Sequence, residues 1–276
     1  LGHIMRKTLV LAITALLSGS AMAGAAFTNG GFESGNLDGW SFSSDTGTAN
    51  YVTLAAGSTQ YASTQNGGLS SLLVSPGTDA KTGINTTYGG SYGVRVGDQL
   101  SWGYSGGGTI YNRISQTATV TAEADGSAGF LYFAWAAVEQ ISGHSTTSTP
   151  FFQVSVKKND GSSIYNVSHY ETDGGAWTTA ANGAWKYSTN SSATDPSGWN
   201  VVGLDLASLG VGIGDSLTLE AIARDCTPDA HAMYVYLDGF GGNRPVTTVP
   251  EPLSLSLLAL GLAGLGLSRR RQNQKQ

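Results

Sequence analysis

The chain has 276 residues, enough for one large β domain or two small ones, and only 12% of them are charged. Its 39 glycines, with abundant Ser and Thr, argue against a coiled coil or a helical bundle. Between residues 24 and 248, eight Lys and Arg face eighteen Asp and Glu, a net charge of −10 that repels phosphate backbones and argues against a nucleic-acid partner.

From Met5 the chain reads as a secretory signal. Arg6 and Lys7 give a positive start, Leu9–Leu17 is a nine-residue apolar run, and Ala21-Met22-Ala23 is a small-x-small cleavage pattern. Residues 5–23 are therefore expected to be removed, with cutting after Ala23. The apolar run is too short to span a bilayer, which takes about 20 helical residues.

The next segment, Asn29-Gly30-Gly31-Phe32-Glu33-Ser34-Gly35-Asn36-Leu37-Asp38-Gly39-Trp40, resembles the opening of galactose-binding-like β-sandwich domains, several carbohydrate-binding modules among them. In such modules the last strand returns beside the first and carries an Asp, a place that Tyr234–Gly239 fits with Asp238. The resemblance implies a structural calcium held by Glu33 and Asp238. Hard carboxylate oxygens converging with loop carbonyls suit calcium, and two neighbouring carboxylates need a positive partner. The other reading has Glu33 capping loop amides and Asp238 solvated.

Residues 24–246 are expected to form one all-β domain, a two-sheet jelly-roll sandwich. Strand signals recur at Asn50–Leu54, Leu72–Ser75, Tyr92–Val96, Ile114–Ala122, Gly129–Val138, Phe151–Lys157, Ser163–Val167, Trp199–Leu206, Ser216–Ala223 and Met233–Gly239. Leu131, Phe133 and Trp135 alternate with Phe130, Tyr132 and Ala134, and Leu217, Leu219 and Ala221 share one face. Lys158-Asn159-Asp160-Gly161 is a predicted hairpin turn. Trp40 and Trp199 are expected in the core. Cys226 has no second cysteine to pair with inside the chain, so burial is expected for it and no disulfide holds the domain.

Signals for catalysis are thin. Gly103-Tyr104-Ser105-Gly106-Gly107 matches a nucleophile elbow, but a strand follows it where that motif requires a helix. Glu123, Glu139, Glu171 and Glu220 are available for glycoside hydrolysis, whose two carboxylates must flank a cleft. No phosphate-binding loop, dinucleotide fingerprint, His-Glu-x-x-His or Cys-x-x-Cys occurs. A non-enzymatic role is expected.

Glu139 and His144, before an aromatic strand, and Asp225 and His231, before the last one, resemble paired segments of other secreted sandwich domains. They form a metal-compatible cluster if their loops meet, and a hydrogen-bonded loop network otherwise. Trp177, Trp185 and Tyr187 sit in a run of small polar residues, Gly174–Tyr187, and are expected to offer rings from a loop to a sugar. Trp102, Tyr104 and Tyr111 make a second such group. Edge packing is the other reading for each.

The C-terminus, residues 247–272, pairs Pro250-Glu251-Pro252 with the apolar run Leu253–Leu267 and the cluster Arg269-Arg270-Arg271. The Arg cluster is expected to stay cytoplasmic, leaving the body on the outer side. This order resembles the PEP-CTERM sorting signal of exported proteins in Gram-negative bacteria that make exopolysaccharide. The resemblance implies the secretion machinery and the membrane enzyme exosortase as partners, transient inner-membrane anchoring by the tail helix, and release or attachment at the cell surface. Within that frame the expected function is non-catalytic binding of extracellular polysaccharide. A structural or adhesive biofilm protein without a defined ligand is the alternative, and a glycan hydrolase or lyase the third.

Overall fold

The computed structural model describes residues 24–25, 27–45, 52–53, 55–62, 69–97, 111–123, 128–143, 149–170, 177–189, 197–226 and 231–245. The signal 5–23 with Ala23, the tail with Pro250, Glu251, Pro252, Arg269, Arg270 and Arg271, the Gly103–Gly107 motif, Trp102, His144 and Glu171 lie outside these.

Side chains that alternate in polarity along a strand give a sheet one dry face and one wet face. The first sheet is built this way. Its strands run in the order β10 (Ser163–Tyr170), β9 (Phe151–Lys158), β14 (Ser216–Arg224), β7 (Tyr111–Thr121), β2 (Ser41–Asp45) and β3 (Val52–Thr53), with β1 (Gly24–Ala25) also pairing β7. Ile114, Ala118 and Val120 of β7, Phe152, Val154 and Val156 of β9, and Leu217, Leu219 and Ala221 of β14 point inward.

The second sheet runs β11 (Trp177–Thr179), β12 (Trp185–Ser188), β8 (Phe130–Gln140), β15 (Met233–Gly241), β6 (Gly93–Val96), β5 (Leu69–Val74) and β4 (Gln60–Ala62). A further strand, β13 (Asn200–Asp205), pairs β8 below β12 on the same edge. Every described pairing is antiparallel, and the described residues contain no helix. Phe133, Trp135, Val94, Val235 and Leu237 close the core against the first sheet. The two-sheet sandwich is thus as expected.

At one end, Phe27, Phe32, Trp40, Phe133 and Phe240 stack into an aromatic plug. The expected hairpin is present: Gly161 takes φ 82°, and its N–H donates to Lys158 O at 2.9 Å. Trp40, Trp199 and Cys226 are buried, as expected.

Two expectations need correction. The opening segment carrying Glu33 is a chain of turns, because Gly30-Gly31, Ser34-Gly35 and Asp38-Gly39 favour turns over a strand. The last strand therefore lies between β8 and β6 in the sheet and meets the opening segment through the Phe240 N–H donating to Gly30 O at 3.0 Å. Trp177 and Trp185 are on strands β11 and β12 rather than on a loop.

The second sheet carries a second apolar layer on its outward side. Ala134, Ala136, Val138, Tyr234 and Tyr236 face away from the main core and are covered by Ile84, Trp185 and Trp199. The segment 75–92 forms much of this roof, pinned by Asp79. One Asp79 oxygen accepts from Thr82 N–H and hydroxyl and from Lys81 N–H, and the other from the Tyr234 and Tyr236 hydroxyls, both at 2.8 Å.

Candidate functional site

With one sheet roofed, the outward face of the other carries no second apolar layer among the described residues, although Ser43, Ser155 and Ile222 on it are buried. Its register places the side chains in rows. The top row reads Tyr170, Phe151, Arg224, Tyr111, ending at the position of Asp45. Below it lie Ser168, Gln153, Ile222, Arg113 and Ser43, then Asn166, Ser155, Glu220, Ser115 and Ser41.

Three rings in the top row gather around one guanidinium. Phe151 and Tyr170 contact each other with centroids 4.5 Å apart, and Arg224 lies 5.4 Å from each and 5.7 Å from Tyr111. Arg224 donates to the Tyr111 hydroxyl at 3.3 Å and to Thr149 O at 3.1 Å. Cation–π attraction and these bonds fix the rings part-exposed.

The lower rows are polar and cross-linked. Gln153 Nε2 donates to Asn166 Oδ1 at 2.6 Å, and Glu220 lies 3.4 Å from Lys157 Nζ and 3.8 Å from Arg113 Nε. An outward sheet face with rings at one edge and amides, hydroxyls and ions below offers both surfaces that a sugar needs. Ring faces pack on the C–H side of a pyranose, and fixed amides orient its hydroxyls.

The Glu33 and Asp238 pair converges on one loop. Asp238 Oδ2 accepts from Tyr88 N–H at 2.9 Å and Gly89 N–H at 3.0 Å, while Glu33 accepts from Ser91 N–H at 2.9 Å and Tyr92 N–H at 3.2 Å. Successive amides of residues 88–92 thus form a nest for two anions. Gly90 has φ 62°, which favours glycine, and a Cβ there would push the Glu33 carboxylate off its place. Glu33 caps amides, as one of the two readings had it, but Asp238 is only 4% exposed rather than solvated. Burial pushes its pKa up to about 7, against the pull of the Gly89 and Tyr88 amides and with a further push from Glu33. The two carboxylates suit calcium in kind, yet among the described residues no third His, Cys, Asp or Glu joins them in a metal-holding group.

Trp177 and Trp185 turn to opposite faces of the second sheet. Trp177 stacks on His169 with centroids 4.3 Å apart and packs against the main core, whereas Trp185, 7% exposed, belongs to the roofed layer with Tyr187 beside it. The three rings make no common platform. The strands are short and follow small residues, so their pairing was hidden in composition.

Glu139, Asp225 and His231 reach the same end of the sandwich. Met233, which pairs with Glu139 across the sheet, donates its N–H to Asp225 Oδ1 at 3.1 Å. His231 Nδ1 lies 3.1 Å from Cys226 Sγ. The partners of Glu139 are different ones: it is fully buried, with Lys186 Nζ 3.0 Å from Oε1 and His169 Nε2 3.4 Å from Oε2. Both contacts are ion-pair distances off hydrogen-bonding angles. His169 and Lys186 were missed in the sequence, as were Phe151, Tyr170 and Arg224 as one group. An aromatic at the outermost outward position of β7, β9 and β10 was the available signal.

No protein-family model and no curated protein matches the sequence. Three solved structures show a partial likeness to the chain. One concerns the promiscuous specificity of carbohydrate-binding modules of the β-sandwich superfamily (15% identity, 80% of this chain and 63% of that one, TM-score 0.32). Another is the CBM22-1 xylan-binding domain from Paenibacillus barcinonensis Xyn10C (15%, 80% and 96%, TM-score 0.27). The third is SGBP-B from a complex xyloglucan utilization locus in Bacteroides uniformis (14%, 62% and 44%, TM-score 0.26). The chain spans less than two thirds of the length of the first and the third.

Proposed function

We propose that this chain is a non-catalytic, exported glycan-binding protein whose ligand lies along the outward face of the first sheet. The observation that carries the reading is the ring group Tyr170, Phe151 and Tyr111, held around Arg224 above rows of amides and hydroxyls. Glu220, the acid whose side chain is described on that face, is tied to two cations, which suits a binding surface better than a pair of catalytic carboxylates. The signal 5–23 and the tail from Pro250 to Arg271 supply the address in this proposal. Secretion machinery delivers the body, the tail holds it briefly in the inner membrane, and exosortase sorts it to the surface of a Gram-negative bacterium. Calcium at Glu33 and Asp238 belongs to the proposal as a stiffener of the 88–92 loop, supported by their convergence there. A rise in thermal midpoint with calcium that a chelator reverses, and that Glu33→Gln removes, is the expected result.

Affinity electrophoresis of the full chain in a non-ionic detergent tests the binding face, in gels containing a β-glucan, a xylan or the host's exopolysaccharide. Retardation by at least one polymer is expected, with Phe151→Ala and Tyr170→Ala each weakening it about tenfold, the size of one lost stacking contact. Retardation unchanged by both substitutions would move the site elsewhere. No retardation in any gel would favour a structural or adhesive role.

A further inference from the structure

Resting on the glycan reading, the charges of this face point to the kind of sugar. The body between residues 24 and 248 carries eight basic residues, and three of them, Arg113, Lys157 and Arg224, stand on this one outward face. Arg113 and Lys157 share Glu220. Arg224 pairs with no carboxylate among the described residues. Its chain neighbour Asp225 is buried and accepts from the Met233 N–H.

Arg224 spends one N–H on Tyr111 and one on Thr149, from five that a guanidinium carries. Its Nε is buried and meets no acceptor. That Nε is covered by protein and out of a ligand's reach, so the part-exposed side chain would meet a ligand through its remaining terminal N–H groups. Rings attract the cation but leave its hydrogen bonds unmade, whereas a carboxylate takes both charge and N–H. In an acidic body, a cation set among sugar-stacking rings with donors to spare is the complement of an acidic sugar.

We propose that the ligand is a uronate-bearing polysaccharide, with Arg224 binding a uronate carboxylate while Tyr170, Phe151 and Tyr111 pack on the sugar rings.

The test compares polygalacturonate with its methyl-esterified form, in which the carboxylate is neutral, in affinity gels run with the full chain, detergent and EDTA. The acid polymer is expected to hold the protein about tenfold more tightly than the ester, as for loss of a charge-assisted hydrogen bond. Arg224→Gln should bring the two retentions together, and Arg224→Lys should restore part of the preference. If Arg224→Gln unfolds, wild-type retention in rising NaCl decides instead, because only the acid polymer should lose its hold. Equal retention by acid and ester, a preference unchanged in Arg224→Gln, or salt-insensitive retention overturns the proposal. Retention by a neutral xylan with none by polygalacturonate also overturns it, but leaves the glycan reading standing. Retention by none of the three removes both.

Discussion

Replacing Asp79 by Ala should strip the roof of the second sheet of its anchor. In the folded chain, one carboxylate oxygen accepts both the Tyr234 and Tyr236 hydroxyls at 2.8 Å, and both tyrosines are fully buried. Burial already holds the Tyr234 phenol far above its ordinary pKa, so it stays a donor at any working pH. The Asp79→Ala change leaves two hydroxyls stranded at about 1–3 kcal/mol each, roughly 4 kcal/mol together. The Lys81 and Thr82 donors on the other oxygen are part-exposed and can turn to water, so they add little. For a domain of this size, about 4 kcal/mol corresponds to a fall of about 8–16 °C in Tm. Urea unfolding gives the same quantity as a lower midpoint at unchanged slope. The decisive control is Tyr234→Phe with Tyr236→Phe in the Asp79→Ala background. Removing both stranded donors should recover about half of the loss, since a hydrogen bond deleted from both sides costs far less than one deleted from one side. A loss below about 1 kcal/mol for Asp79→Ala, or no recovery on removing the hydroxyls, would refute the roof argument.

Asp238 should make the protein less stable as pH rises. Its folded pKa of about 7 lies above the unfolded value of about 3.9, so the folded state holds a proton that the unfolded state has lost. Stability is complete below about pH 4 and declines toward pH 7; with chelator present, urea midpoints at pH 4.5 and 7.5 should differ more for wild type than for Asp238→Asn, and equal slopes would contradict the burial argument. Trp185→Ala should cost about 3 kcal/mol in urea, as for a large buried ring, while retention by glycan gels stays within twofold in the folded fraction. Loss of retention at unchanged stability would return Trp185 to the binding face.

What the sequence shows and what it hides follow from one geometric fact. Alternation along a strand is local, so the inward sets Leu131-Phe133-Trp135 and Leu217-Leu219-Ala221 could be read directly, and both point into the core. Which strands lie side by side is a long-range outcome. Tyr111, Phe151, Tyr170 and Arg224 are spread over more than a hundred residues and meet only because β10, β9, β14 and β7 pair in that order. The same holds for Glu139, whose partners His169 and Lys186 arrive from β10 and β12. Turn-rich motifs were readable as motifs but misread as geometry. Glu33 and Asp238 converge on the 88–92 loop, yet Glu33 sits on turns, and backbone amides of that loop donate to both carboxylates.

The choice between the two outward faces also has a sequence correlate. In β15 every residue from Met233 to Asp238 is buried, and in β8 every residue from Phe133 to Glu139. Such unbroken runs belong to strands covered on both sides, so the second sheet had to acquire a roof. Trp185, Trp199, Ile84 and the Asp79 loop provide it, which is why aromatics that look available in sequence are spent on packing. Strand β7 instead alternates buried and part-exposed positions along most of its length. A sheet with that pattern keeps one face in water, where apolar rings carry a hydration cost and no packing benefit unless something comes to lie on them. Tyr170, Phe151 and Tyr111 stand on that face, part-exposed and gathered around the Arg224 guanidinium. The proposed ligand would therefore gain most from the rings of the first sheet, because those of the second are spent on packing.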